Sequence, residues 1–436
     1  MYMPVVAYPS MVRSNSAPFE TIFSVPQRVH FQRYLTGLLV SDNVTVTGIN
    51  SLFVEHKDQS ALNRFLTEAP WSETELNEAR IRLLRQKLLP AQPTRGYLII
   101  DDTLAHKTGT HMPGVGKFFD HSKRCYTLAQ DVLTTFLVMG DAHFPLDLSL
   151  YHQFQAKKEL ARLQTQALAA LREANLTALR QYLVDLLDYK VRQDRFRTKL
   201  VMAAELFDRA MARQLPFEVV IFDAWFLDKT LIRHIEQHGK AWIGGCKSDR
   251  IIFVARERLS VAAFCRRLPK EAYHAIPVGE EVYWAFTKVV SMSKLGQVRL
   301  LISFDNPDLK GDPRYLVTRQ LHWNATSILH GYDKRRQTEP FYRDEKHHLG
   351  FEECQLRDER GTMRHWYLDF LAYSLCQLEM GLFRVGKGAK AGPKTVGDCC
   401  RQANAELVEA LVYWVAHRLE EGETAEVILT RLFAPL

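Results

Sequence analysis

The sequence predicts an α/β fold organised around a buried sheet. Three observations lead there. YLII (97–100) and EVVIF (218–222) are short apolar runs that suit central strands, and each runs straight into an aspartate, Asp101 and Asp223. A long helical stretch, 156–213, separates them. Short β-like runs punctuated by turn residues then fill 250–322.

The chain has 436 residues, enough for several domains and a large core. Its 47% hydrophobic and 25% charged content is that of an ordinary globular protein. No apolar run is long enough for a transmembrane helix, and the N-terminus lacks the pattern of a secretory signal. A cytoplasmic protein with no membrane partner is therefore expected. The net charge of +7 mildly favours a polyanionic partner. The seven cysteines show no C-x-x-C spacing, which points to neither a zinc ribbon nor a disulfide framework.

Taken in order, residues 1–18 read as a loose polar arm. Helices follow over 26–90, with apolar residues of VHFQRYLTGLL at helical spacing and a capping box from Ser72 to Glu75. PAQPT (90–94) breaks the pattern and suggests a boundary, giving a helical N-terminal region, 1–95. A first core segment comes next, 96–249. It holds the two strands above, further strands at 127–140 and 144–151, helices broken near REANLT, and a last strand in KAWIGGCK (240–247). The β-rich stretch is 250–322, and a second core segment, helical from about Asn324, is 323–382. FRVGKGAKAGPK (383–394) reads as a basic flexible linker, with Arg384, Lys387, Lys390 and Lys394, opening a C-terminal helical region to 436.

An acid at the end of a buried strand is held rigidly where core meets solvent. Two such acids on neighbouring strands can share hard divalent cations such as Mg²⁺. The plainer alternative is that each aspartate caps the next loop or helix. A third carboxylate comes from spacing. On a continuous helix Tyr332, Arg335, Glu339 and Lys346 fall at roughly 0°, −60°, −20° and −40°, on one face, while Asp344 and Glu345 fall at roughly 120° and −140°. Pro340 is expected to kink that helix.

These residues resemble a known family. Tyr332, Arg335, Glu339 and Lys346 reproduce the Y-(2)-R-(3)-E-(6)-K signature of a large group of bacterial insertion-sequence DDE transposases. DDT at Asp101 and FDAWF at Asp223 resemble the two aspartate motifs of that group. The run from Lys346 through HHLGFEECQLR resembles its K-x-x-LG-x-x-x-x-Q-x-R segment, and RYLTGLL and APWSETEL resemble its helical head. The resemblance covers roughly 20–385.

It implies a ribonuclease H-like catalytic core interrupted by a β-rich insertion, with helical N-terminal and C-terminal regions. It implies Asp101, Asp223 and Glu339 as catalytic, metal-binding carboxylates for Mg²⁺, with Mn²⁺ substituting. Asp102 is the alternative first carboxylate, although the D-x-T pattern favours Asp101. Tyr332, Arg335 and Lys346 are then expected to bind DNA phosphates. The partners implied are double-stranded DNA with terminal inverted repeats, target DNA, and a second copy in a homodimeric synaptic complex at the bacterial nucleoid. The helical head is expected to recognise the element ends.

Other features are weaker. The basic run YKVRQDRFRTK (189–199) could track phosphates. Trp284 and Trp323 suit core packing better than base stacking. His106, Lys107, His111, His347 and His348 suit a DNA channel better than a zinc site. Three other readings compete: a catalytically silent DNA-binding descendant, another ribonuclease H-like nuclease, and a carboxylate-pair sugar hydrolase.

Overall fold

A computed structural model describes residues 3–55, 57–91, 95–385 and 392–433. The N-terminal region is helical: α1 (Ser10–Ser14), α2 (Val25–Val40), α3 (Val46–Ser51), α4 (Gln59–Thr67) and α5 (Glu73–Lys87). Four strands come next: β1 (Gly96–His106), β2 (Gly116–Asp120), β3 (Cys125–Met139) and β4 (Ala142–Tyr151). Helices α6 (Ala156–Arg172), α7 (Leu176–Arg195) and α8 (Lys199–Ala212) lead to β5 (Phe217–Phe222), α9 (Lys229–Gln237) and β6 (Ala241–Gly245). Beyond these lie β7 (Ile251–Val254), β8 (Glu257–Ser260), α10 (Val261–Cys265), β9 (His274–Val278), β10 (Glu281–Met292), β11 (Gly296–Phe304) and β12 (Arg314–Thr318). The chain closes with α11 (Ala325–Asp333), α12 (Thr338–Asp344), α13 (Glu359–Val385), α14 (Val396–Glu420) and α15 (Ala425–Phe433).

The described strands form one mixed sheet in the order β2-β3-β1-β5-β6-β12-β11-β10-β7-β8, with β4 also on β3 and β9 also on β10. Within it, β1, β5 and β6 are parallel and β3 is antiparallel to both β1 and β4. This order is compatible with a ribonuclease H-like core. Leu98, Ile99 and Ile100 are fully buried, as expected of a strand covered on both faces. Strands β7–β12 continue the same sheet on the far side of β6.

Helix α13 is buried on every side from Arg364 to Leu378 and correspondingly central: Trp366, Leu368, Phe370, Leu371 and Ala372 are fully buried. Helices α2, α4, α5 and α14 pack against it. Arg80 of α5 is also fully buried. It donates to Pro145 O (2.9 Å), Leu146 O (3.0 Å) and Ser374 Oγ (2.9 Å), tying the N-terminal helices to β4 and α13. Burial lowers its pKa to about 9, so it remains charged at neutral pH.

Three expectations need correction. The first residues are not a loose arm. Val5 N donates to Leu52 O (2.7 Å) and Val54 N to Val5 O (3.1 Å). Met11 and Val12 are buried, and Ser10 binds Glu406 through its amide (2.6 Å) and hydroxyl (2.8 Å). Three apolar side chains in a polar segment are enough to dock it. Second, the 156–213 helices break twice, since Asn175 and Thr198 both cap new helices through Ala178 N and Val201 N. Third, the expected linker starts inside a helix, because α13 runs to Val385. Lys387 and Lys390 lie outside the described residues.

Candidate active site

The parallel register sets the first relationship. Ile100 of β1 lies opposite Phe222 of β5, so Asp101 and Asp223 stand side by side one residue further on. Up to that pair, neighbouring backbones are about 4.8 Å apart. On the other side of β5, Phe222 lies opposite Gly244 of β6. The next residue, Gly245, admits no side chain: a Cβ would sit 2.7 Å from Ala224 N, 3.2 Å from Asp223 C and 3.2 Å from the Tyr332 hydroxyl. The glycine lets the Asp223 turn and Tyr332 close over the strand end. Asp223 Oδ1 holds that turn by accepting from Trp225 N at 2.8 Å.

Asp101 is 6% exposed. Arg335 Nη2 donates to its Oδ1 at 2.8 Å, and Thr338 Oγ1 to its Oδ2 at 3.3 Å. Strand alternation sends Asp102 to the other face. There Lys199, at the start of α8, donates to Asp102 Oδ2 at 2.7 Å and also binds Asp131 of β3. The same ammonium lies 5.3 Å from the Trp225 ring centre.

These acids share one field. Burial pushes Asp101 up to about 6, against the Arg335 charge, and repulsion from Asp102 and Asp223 adds to it. Burial also raises Asp223, with Asp102 as its strongest like charge. Asp131 rises to about 7 through burial and Asp102. Arg335 and Lys199 are the two cations set among four aspartates, so the cluster carries surplus negative charge. An all-oxygen donor set with that surplus fits hard divalent cations.

Glu339 stands in the first turn of α12 and is exposed. It lines a cleft of about 330 Å³ with Tyr332, Arg335, Arg336 and Arg314. Its carboxylate makes no hydrogen bond or ion pair among the described residues. The link from Glu339 to the aspartates runs through its neighbours, because Thr338 and Arg335 both touch Asp101.

The continuous helix assumed for Tyr332 to Lys346 is replaced by a broken one. A 3₁₀ turn (Lys334–Gln337) joins α11 to α12, and a π turn (Glu345–Leu349) comes after α12. Pro340 falls in the first turn of α12, where its missing N–H removes no helix bond. The changed winding takes Lys346 off the cleft face. Its Nζ donates to Leu104 O at 2.6 Å and pairs with Glu352 at 3.2 Å. Glu345, expected to point away from Glu339, is fully buried.

The other candidates read from sequence occupy plainer places. In the basic run, Arg192 pairs with Glu159 (2.7 Å) and Asp188 (2.8 Å), and Arg197 with Glu205 (2.7 Å). Those charges are spent internally. His106 bridges Asp120 (2.9 Å) and Glu352 (3.0 Å), while Lys107 donates to Glu352 O (2.6 Å) and Cys354 O (2.9 Å). Both fasten the segment after Lys346 to the end of β1. His111, His347 and His348 are exposed. Trp284 and Trp323 pack against the core, whereas Trp225 beside Asp223 is 46% exposed. Sequence reasoning passed over Lys199, Asp131, Thr338 and Trp225. Asp131 had a signal, as an acid embedded in the apolar run DVLTTFLVM.

Among known families, the one described as DDE superfamily endonuclease matches residues 18–263, more than half of the chain. The matched span includes Asp101 and Asp223 and stops before Glu339. No curated protein matches the chain.

Proposed function

The chain belongs to the DDE superfamily endonuclease family, and on that premise we propose that it is a DNA transposase cutting and joining phosphodiesters at the ends of its own element. The family implies DNA as the substrate and general use of divalent metals. The observation that carries the reading is the parallel register that sets Asp101 beside Asp223, with Arg335 and Thr338 bringing the Glu339 helix onto Asp101.

Asp101, Asp223 and Glu339 are the carboxylates that would hold Mg²⁺ or Mn²⁺. When bound, such ions activate the attacking water or 3′-hydroxyl and stabilise the leaving oxygen. The chain's own groups do the rest. Arg335 is placed to exchange the Asp101 carboxylate for a phosphate oxygen, which it can grip bidentately. Tyr332 presents its hydroxyl at the same cleft. Lys346 keeps the end of β1 in place through Leu104 and Glu352, a positioning role rather than a phosphate contact. Asp102, engaged by Lys199, remains the alternative to Asp101, since it couples most strongly to Asp223.

The broader reading includes a β-rich insertion at 250–322, terminal inverted repeats recognised by the N-terminal helices, target DNA, a homodimer and a place at the nucleoid. Among the described residues no helix is long and apolar enough to cross a membrane. One observation favours a catalytically silent descendant: Asp101 and Asp102 are each neutralised by an internal cation. Incubation with the DNA flanking the gene, in Mg²⁺ or Mn²⁺, decides between them. Metal-dependent breaks at the edges of an inverted repeat, absent with Asp223→Ala, are the expected result. Binding without breaks would establish the silent descendant instead.

A further inference from the structure

We propose that Asp208, His234 and His238 form a transition-metal site, of the class taken by Zn²⁺, that clips α9 to α8. One ligand atom from each of the three residues lies within 4.8 Å of the others. The two histidines are four residues apart, at the last turn and the C-cap of α9, so both rings leave the same side of that helix. Asp208 reaches them from the neighbouring α8.

The cluster is organised for ligation. His238 Nδ1 lies 2.9 Å from His234 O. A carbonyl only accepts, so Nδ1 carries the hydrogen and Nε2 keeps a free lone pair. His234 Nε2 lies 2.6 Å from Asp208 Oδ1, so this nitrogen donates its hydrogen to the carboxylate. Phe207 is fully buried and stands edge-on to both imidazoles, at 5.7 Å and 5.4 Å between ring centres. That apolar wall supports both rings on one side. The other side faces solvent, leaving a fourth position for water.

Two imidazole nitrogens and one carboxylate oxygen suit Zn²⁺, Co²⁺, Ni²⁺ or Cu²⁺ and not Mg²⁺, which demands oxygen. Bonds of about 2.0–2.1 Å put tetrahedral ligand atoms roughly 3.3 Å apart. Asp208 is exposed and His238 stands at the helix end, so closing to that spacing would fall to rotation of these two side chains. Binding at Nε2 displaces the hydrogen that His234 now shares with Asp208, and in the neutral ring that hydrogen moves to Nδ1, so the ligand is a neutral imidazole and no net proton is released. The ion adds positive charge at a helix C-terminus, where it is favoured.

The location gives the site a structural consequence. Asp223 lies in the loop before α9, and Lys199 opens α8. The proposed ligands sit toward the other ends of these helices, about 8–14 Å away along each axis. A metal there would hold together the two helices whose beginnings shape the acidic cluster, without touching that cluster.

The test is Zn²⁺ binding to the full chain, stripped with a chelator and titrated against a chromophoric competitor, with Co²⁺ absorption as a second readout. The expected result is one nitrogen-ligated ion per chain, retained in Asp223→Ala. Affinity should fall at least tenfold in His238→Gln and in His234→Ala, and zinc should raise the Tm of the wild type but not of His238→Gln. His238 is an exposed cap, so this variant should fold even where His234→Ala does not. No binding by the wild type, or binding equally tight in folded His238→Gln, would overturn the proposal.

Discussion

Arg335 places Nη2 at 2.8 Å from Asp101 Oδ1, and this contact joins the broken 325–349 helix to the middle of β1. Arg335 offsets the repulsion among the aspartates, and in the proposed reaction it would also meet a phosphate. Arg335→Ala should therefore cut strand cleavage by on the order of 10²–10³, as loss of a charge stabiliser does. Binding to flanking DNA should fall by less than tenfold, because a single phosphate contact is a small share of a protein–DNA interface. Single-turnover cleavage beside a gel-shift titration checks both, and equal losses in the two would remove the catalytic duty. Arg335→Lys should recover little, since a point charge does not reproduce the planar fork.

The Asp101 carboxyl is raised to about 6 by burial, which would make metal use pH-dependent if Asp101 is a ligand as proposed. A proton and a metal compete for the same oxygens, so metal-dependent cleavage should decline as pH falls through about 6. The folding linkage has the opposite sense. The native state holds this proton more tightly than the unfolded chain, whose carboxyl titrates near 3.8. Ionising it therefore costs stability as pH rises from about 4 to 6. A cleavage profile at saturating Mn²⁺ and at tenfold less metal should show the inflection moving to higher pH as metal is lowered.

Gly245 tests whether the strand end must be open. An alanine Cβ there would meet Ala224 N at 2.7 Å and the Tyr332 hydroxyl at 3.2 Å. Backbone has to give way, and the Asp223 turn is what moves. Gly245→Ala should keep the circular dichroism of the parent with a Tm a few degrees lower, as a cost of about 1–3 kcal/mol implies. Cleavage should nonetheless fall by tenfold or more.

Glu345 and Asp369 lie buried beside one another, and among the described residues none of their four carboxyl oxygens has a further hydrogen-bond partner. Burial drives the Glu345 carboxyl up to about 8, with the neighbouring Asp369 carboxyl and then the Arg80 charge opposing. Raised above its unfolded value of 4.5, it is fully compatible with the fold while protonated. It destabilises progressively as pH rises from there to about 8. Glu345→Gln should accordingly raise the Tm at pH 8.5 relative to the wild type and change it little at pH 5. Equal shifts at both pH values would contradict the assignment.

The parts of this protein legible in its sequence are those set by local pattern. Apolar runs of strand length gave β1, β5 and β6, and the parallel register of β1 and β5 aligns Asp101 with Asp223, although β1 runs on to His106 where the sequence suggested that it stops at the acid. Two kinds of feature were not legible. Lys199 looked like one more charge in a basic run, and only the packing of α8 on the sheet brings it to Asp102. The Tyr332–Lys346 wheel assumed one winding, whereas a 3₁₀ turn and a π turn change it in the middle. That keeps Tyr332 and Arg335 in the cleft and sends Lys346 to Leu104. The docking of Val5, Met11 and Val12 is likewise a tertiary event, invisible to periodicity.

The most direct measurement is Mn²⁺-dependent nicking of DNA carrying the gene's own flanking sequence, by the wild type and by Asp101→Asn, Asp102→Asn, Asp223→Asn and Glu339→Gln. If Asp101, Asp223 and Glu339 form one metal centre, those three variants lose at least 10³ in rate, about 4 kcal/mol in barrier, while Asp102→Asn keeps most of its activity. Full activity in Glu339→Gln, or loss in Asp102→Asn with Asp101→Asn active, would contradict the assignment.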